Sequence, residues 1–347
     1  TGAVGEELFR VLEEQDFQDI DFSMLLFTSG TTGKPVGAFK TKENLELEVR
    51  GFMKIIEHYK PKKVIATVPF IHIYGILTAI ILPYLSEMDL FFKKHFLPHD
   101  LLESIEPNSV VVTTPVYIKS LLRLEETKDL SEVVFVSSTA PLDASSAKEF
   151  IKKFNTNLIQ LFGSTETGGI AYKEQNDDLW KPLRDVNLTI NENNLLKINS
   201  PFVSKLVFEN GLKNTNGEIQ SFDYVAFEGE RFKIIGRDSQ IFKVDGKRFS
   251  TLQVEEILES MSSVKKAFVI VKYNKGELKD ESLEVFLESS QKISLKEINR
   301  VLREKIGNIK FPIKLKIVAK IPTTAIGKKI IPFYWNYLIS FQKLVLK

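Results

Sequence analysis

"FTSGTTGKPVG", residues 27–37, follows a short β-rich run and gathers three hydroxyls (Ser29, Thr31, Thr32), two glycines (Gly30, Gly33) and the ammonium of Lys34 within six positions. Hydroxyls and glycine N–H groups can wrap a polyphosphate closely, and a lysine adds charge. The stretch is not a Walker loop. That loop needs four residues between its first glycine and the Gly-Lys pair, then Ser or Thr; here two residues intervene and Pro35 follows. Proline offers no N–H to a phosphate, which argues against a kinase or GTPase. A polar surface turn has the same composition, so the stretch alone leaves both readings open.

Working outward, the pattern from about 22 to 175 alternates. β-Rich runs at 24–27, 63–68, 90–92, 109–113, 133–136 and 158–161 are separated by helical periodicity at 44–59, 116–124 and 143–154, with Asp143 as a plausible N-cap. That rhythm predicts an α/β layer with a mostly parallel sheet. From about 176 to 236, short strand-like runs joined by turns such as Asn216-Gly217 predict a small antiparallel β unit. From 237 to 347 the order strand, helix, two strands, helix, strand predicts a small α+β domain. Capping boxes open both of its helices, at Ser250-x-x-Gln253 and Ser294-x-x-Glu297. The expected division is thus a large domain over 1–236 and a small one over 237–347.

Bulk properties narrow the function. The chain has 347 residues, 47 basic against 45 acidic, and no cysteine. Disulfides, thiolate metal sites and a cysteine nucleophile are thereby excluded, and a reducing, cytoplasmic setting is expected. The longest apolar stretch, 71–85, holds His72 and Gly75 and breaks at Pro83, so no membrane span is expected. No basic-then-apolar leader opens the chain, so no signal peptide is expected either. The near-balance conceals an asymmetry: residues 237–347 carry a net +10 and residues 1–236 a net −8. No basic motif interleaved with aromatics points to nucleic acid.

The loop has company. "VPFIHIYGI" (68–76), "SSTAPL" (137–142), "LFGSTETGGI" (161–170), "GRDSQIFKVDGKRFS" (236–250) and "IPTTAIGKKI" (321–330) follow it in order. Together with "TSGTTGKPVG", this series resembles the adenylate-forming superfamily of acyl- and aryl-CoA synthetases, luciferases and peptide-synthetase adenylation domains. The resemblance implies an acyl-CoA-synthetase-like α/β large domain and a small mobile C-terminal domain. It implies activation of a small carboxylic acid, acyl or aryl, by ATP as an acyl-adenylate. The acyl group then passes to a thiol, either CoA or the phosphopantetheine of an acyl or aryl carrier protein, with release of AMP and pyrophosphate.

Site residues follow from the same resemblance. Thr28, Ser29, Gly30, Thr31, Thr32, Gly33 and Lys34 would cover the phosphates of ATP. Glu166 matches the Mg²⁺ ligand, and Thr165 the hydroxyl on the α-phosphate; as an alternative, "STET" caps a helix through Thr165 or Thr167. Phe162 and Gly163 stand in the adenine segment, Phe162 replacing a usual tyrosine. Asp223, in "QSFDYV", and Arg237 match the ribose-binding pair, with a strand-ending turn as the alternative for Asp223. Lys328 matches the lysine that reaches both the α-phosphate and the attacking carboxylate. His72 falls in the acid-pocket segment, with a buried core histidine as the alternative. The basic C-terminal domain would favour CoA or an acidic carrier.

Some positions depart from the pattern. Ser239 stands where a charged hinge residue is usual, Val36 replaces a lysine, and Lys42 a histidine. Only 27 residues precede the first motif, fewer than in the family, so the first α/β subdomain is expected to be trimmed or outside this chain. These departures keep open a degenerate, non-catalytic protein that binds nucleotide or a carrier.

Overall fold

A computed structural model describes residues 21–28, 36–93, 95–192, 194–209, 211–237, 241–244, 247–273, 281–306 and 312–322. The chain divides into two compact units. One comprises Thr1–Ser221 and Ala226–Lys233, the other Phe222–Val225 and Ile234–Lys347.

In the first unit, the opening stretch joins β1 (Met24–Thr28) to β2 (Val36–Lys40), and the two strands pair antiparallel. The alternating pattern had suggested that 24–27 begins the parallel layer. Seven residues between the strands are too few for a parallel crossover, which needs a dozen or more. Helix α1 (Lys42–Ile56) follows, with Thr41 as N-cap in a reciprocal capping box with Asn44.

The parallel layer then forms from β3 (Lys63–Ala66), β4 (Asp89–Phe92), β5 (Ser109–Thr113), β6 (Val134–Ser137) and β7 (Asn157–Ser164). The antiparallel strands β8 (Gly168–Glu174) and β9 (Lys181–Pro182) extend it, giving the order β4-β3-β5-β6-β7-β8-β9. The connections carry two short helices, α2 (Ile73–Ile76) and α3 (Leu82–Ser86), joined by a π-helical turn at Leu77–Ile81. They also carry α4 (Pro98–Ser104), α5 (Pro115–Leu122) and α6 (Ala144–Phe154). Pro83 lies in α3 directly after the π-helical turn, in which Leu82 N–H reaches back to Leu77 O.

Strand alternation explains why both faces are covered. Val64, Val110, Val112, Val134, Val136 and Ile159 point into one cluster with Leu45, Val49, Phe52 and Ile56 of α1. Ile65, Val111, Phe135 and Leu158 point the other way, into α4, α5 and α6 through Leu101, Ile118, Phe150 and Phe154. The near-continuous valine runs are what a doubly covered parallel sheet requires.

The antiparallel segment divides between two sheets. Strands β12 (Leu206–Phe208) and β13 (Leu212–Asn214) join β2 and β1, whereas β10 (Asn187–Ile190), β11 (Leu195–Asn199), β14 (Glu218–Glu228) and β15 (Arg231–Arg237) form a separate four-stranded sheet. Asn216 (φ 54°) and Gly217 (φ 76°) turn the chain from one sheet to the other, closed by Glu218 N–H to Thr215 O at 3.0 Å.

In the second unit, a β16 (Ile241–Val244) and β17 (Lys247–Ser250) hairpin takes the place of the single strand expected there. Helix α7 (Thr251–Glu259), β18 (Lys266–Tyr273), β19 (Glu281–Glu288), α8 (Leu295–Ile306) and β20 (Ile313–Val318) follow. Strands β18 and β19 are antiparallel, β19 and β20 parallel. Ser250 caps α7 through the N–H of Leu252, and Ser294 accepts from the N–H of Glu297. The unit has its own core, including Val254, Leu258, Val269, Val285, Ile298 and Leu302. Among the described residues, no helix is long and apolar enough to cross a membrane.

Candidate active site

Strand order locates the first candidate region. Chain order reverses at β3: β4 lies on one side and β5 on the other. Ligands of open α/β sheets bind beyond the carboxyl ends of strands at such a switch. Those ends carry the motif segments: His72 after β3, "SSTAPL" after β6, and "STET" after β7. Tyr74 pins the neighbouring ends together. Its buried hydroxyl donates to Val136 O at 2.7 Å and lies 3.3 Å from Thr113 O. Burial raises its pKa well above the ordinary tyrosine value, so Tyr74 is a neutral donor.

The loop after β6 is strained. Thr139 adopts φ 78°, where a β-branched residue is an outlier. The hydroxyls of Ser137 and Thr139 are buried with no hydrogen-bond partner among the described residues. Such strain and unsatisfied polarity concentrate at functional sites. His72 is exposed and begins α2 without capping it, so the reading as a buried core histidine fails.

"STET" is a hairpin turn between β7 and β8, not a helix cap. The Ser164 N–H donates to Thr167 Oγ1 at 3.1 Å, the Thr167 N–H donates to Ser164 Oγ at 3.2 Å, and the two hydroxyl oxygens lie 3.0 Å apart. The outer pair closes the turn; the inner pair, Thr165 and Glu166, occupies its tip, each half-buried. Both flanking glycines are forced. A Cβ on Gly163 would lie 2.4 Å from Gly168 O, and Gly168 has φ 69°. Strand pairing shifts register at Phe162/Gly163, which lets the hairpin close. Phe162 packs its ring 5.6 Å from Trp180 and 6.4 Å from Phe232, centroid to centroid.

Beneath the turn lie two buried ionisable side chains that sequence reasoning missed. Lys40, fully buried at the end of β2, donates from Nζ to Phe202 O at 2.6 Å and lies 3.4 Å from Glu166 O. Glu48 of α1 accepts from the Gly169 N–H at 2.7 Å. Burial lowers the Lys40 pKa to about 8, although the charges of Glu48 and Glu166 oppose the shift. Burial likewise raises Glu48, opposed by Lys40 and by the Gly169 N–H. A signal existed: Glu48 interrupts the apolar face made by Leu45, Val49, Phe52 and Ile56.

In the second unit, Asp223 is buried and Arg237 Nε donates to its Oδ1 at 2.9 Å. Asp223 lies inside β14, so it is not a turn residue ending a strand. The structure thus joins two residues that the sequence motif had assigned to the same ribose. Thr28 ends β1, and its side chain lies outside the described residues, as do Ser29, Gly30, Thr31, Thr32, Gly33, Lys34, Ser239 and Lys328. Val36 opens β2, and Lys42 is exposed, 3.7 Å from Glu46.

The family model described as "AMP-binding enzyme" matches residues 5–199. Among curated proteins, 4-coumarate–CoA ligase of Cereibacter sphaeroides is 25% identical over 245 residues, covering 70% of this chain and 55% of that one. A 2-succinylbenzoate–CoA ligase of Listeria monocytogenes is 24% identical over 321 residues, covering 88% and 68%. A long-chain-fatty-acid–CoA ligase of Bacillus subtilis is 22% identical over 344 residues, covering 89% and 60%. The chain therefore spans between 55% and 68% of the length of these relatives.

Solved structures share the fold. ATP-bound MatB from Rhodopseudomonas palustris matches with a TM-score of 0.77 at 19% identity, over 93% of this chain and 68% of that one. O-succinylbenzoate coenzyme A synthetase from Bacillus subtilis, in complex with AMP, matches with 0.77 at 21% identity, over 88% and 67%. With the family model covering more than half of its residues, and an acyl-CoA-synthetase-like α/β fold beneath the motifs, this chain belongs to the AMP-binding enzyme family.

Proposed function

We propose that the protein is an acid–thiol ligase that activates a small carboxylic acid with ATP and passes it to a thiol. A carboxylate oxygen attacks the α-phosphorus of ATP, and the bond to pyrophosphate breaks, leaving an acyl-adenylate. A thiolate then attacks the acyl carbon, and AMP departs with the carboxylate oxygen. The observation that carries this reading is the turn closed by Ser164 and Thr167, which sets Thr165 and Glu166 at the carboxyl edge of a doubly wound sheet. The three relatives described above, all CoA ligases, support it.

Both reactants are anions, so charge neutralisation and alignment matter more than a strong base. A single hard carboxylate beside phosphate oxygens suits Mg²⁺, which takes few protein ligands and would neutralise charge there. Glu166 would hold it, with Thr165 on the α-phosphate and residues 28–34 over the remaining phosphates. Asp223 and Arg237 would take the ribose, Phe162 and Gly163 would border the adenine, and His72 would border the acid. Lys328 would stabilise the charge developing between carboxylate and α-phosphate. The acceptor is CoA or a carrier-protein phosphopantetheine, drawn by the basic residues from 237 onward. We place the small mobile domain at 237–347 and the large one at 1–236, a division supported by the parting of the compact units along β14 and β15. A cysteine-free chain suits the cytoplasm.

Acid-dependent exchange of labelled pyrophosphate into ATP tests this reading. Exchange with at least one member of an acyl and aryl acid panel is expected, and Glu166→Gln should slow it about 10²–10³-fold, the usual scale for removing one transition-state electrostatic partner. ATP binding without exchange on any acid would favour the non-catalytic alternative.

A further inference from the structure

Two ionisable side chains, Lys40 and Glu48, are buried beneath the turn, and each is directed at the turn's backbone. The Glu166 carbonyl accepts the Ser204 N–H at 2.9 Å and faces Lys40 Nζ at 3.4 Å. On the other side of the turn, Glu48 takes the Gly169 N–H at 2.7 Å. The carboxylate fills the space under both glycines: a Cβ at Gly168 would lie 2.6 Å from Glu48 Oε2, and one at Gly169 3.2 Å from Oε1. Asn44, one helical turn before Glu48, donates to Pro201 O at 2.6 Å and so holds the segment on which Lys40 also rests through Phe202 O.

Stability alone does not account for this arrangement. Burying an ionisable side chain costs desolvation, and an apolar residue of similar size often fills such a place without loss. Glu48 Oε2 is buried with no hydrogen-bond partner among the described residues, a penalty an apolar side chain would avoid. What the two side chains achieve is geometric. A lysine from β2 and a glutamate from α1 hold the turn at two points, the Glu166 carbonyl at its tip and the Gly169 N–H beyond its closing pair. The tip residues need such support, since a reacting geometry tolerates little looseness.

We propose that Lys40 and Glu48 are positioning residues that fix the Ser164–Gly169 turn, so that Thr165 and Glu166 meet the nucleotide in one orientation. This inference rests on the ligase reading. Neither residue touches substrate; both act through the turn backbone.

The test separates the two half-reactions in the full chain. Lys40→Met and Glu48→Leu should each slow acid-dependent pyrophosphate exchange about 10–100-fold and raise the Mg²⁺ concentration needed for half-maximal rate. The KM for the acid should stay within about twofold, and thioester formation from supplied acyl-adenylate within about threefold, because pyrophosphate and the Mg²⁺ that Glu166 would hold have left before that step. Glu48→Gln keeps an acceptor for the Gly169 N–H and should recover most of the rate lost in Glu48→Leu. Folding of each variant is checked by thermal unfolding. Folded Lys40→Met and Glu48→Leu proteins with wild-type exchange, or with equal losses in both half-reactions, would overturn the inference. So would failure of both to fold, which would make the pair structural only. Absence of exchange in the unmutated protein would instead sink the ligase reading itself.

Discussion

Strands β5 and β2 are both buried, yet different forces put them there. Every residue of β5, Ser109–Thr113, is buried, with Val110 and Val112 facing one helical layer and Val111 the other. Strand β2 is buried from Gly37 onward but ends in Lys40, a charge with no solvent access. The first is explained by removing apolar area from water, worth roughly 25 cal/mol per Å². The second is explained only by what the ammonium reaches, the carbonyls of Phe202 and Glu166. The apolar layer makes the fold stable; the polar contacts under the hairpin make one turn specific.

That contrast breaks if core and turn variants behave alike. The largest stability effect is expected at the apolar layer. Phe135 is fully buried, with its ring edge-to-face against Phe150 at 4.8 Å. Phe135→Ala should cost about 3–5 kcal/mol by urea unfolding and leave the KM for ATP within about twofold in the folded fraction. Gly168→Ala should cost less, about 1–3 kcal/mol for strain at φ 69° and overpacking against Glu48 and Phe202, while slowing exchange at least about tenfold. An unaltered exchange rate in folded Gly168→Ala protein would show that turn geometry does not control activation.

The smallest effect is expected at Asp143, a half-buried cap at the start of α6. It caps α6 through the Ser146 N–H at 2.8 Å and meets Lys119 at 2.7 Å. Asp143→Ala should cost about 1 kcal/mol with activity unchanged. Burial pushes its carboxyl upward, but the Lys119 and Ser145 hydrogen bonds, the Ser146 N–H and the Lys119 charge together hold it well below the usual carboxylate range. A depressed folded pKa stabilises above the unfolded value, near 3.8, and that contribution fades as pH falls below it. Asp143→Asn retains a cap, so its stability should fall less steeply with acid than that of the unmutated protein. Parallel acid slopes for the two would contradict this account of the cap.

The same contrast sets how much the sequence reveals. Valine runs at 109–113 and 133–136 announce doubly covered parallel strands because burial acts through composition and period, both local. Asp143 as an N-cap was equally legible. The Ser164–Thr167 turn was not. Ser-x-x-Thr offers the same side-chain-to-backbone bonds to a helix start and to a tight turn, and only the pairing of β7 with β8 decides between them. Lys40 lies 126 residues from Glu166 and 162 from Phe202, so no local pattern could join them. The family resemblance put Asp223 and Arg237 on one task, while their direct contact depends on strand register.

One isotope experiment tests the central claim most directly. The protein is given ATP, Mg²⁺, CoA and an acid that supports exchange, with both carboxylate oxygens as ¹⁸O. If the carboxylate attacks the α-phosphorus, the AMP formed with the thioester should carry one ¹⁸O and the pyrophosphate none. Unlabelled AMP, or label in pyrophosphate or in inorganic phosphate alongside ADP, would contradict it.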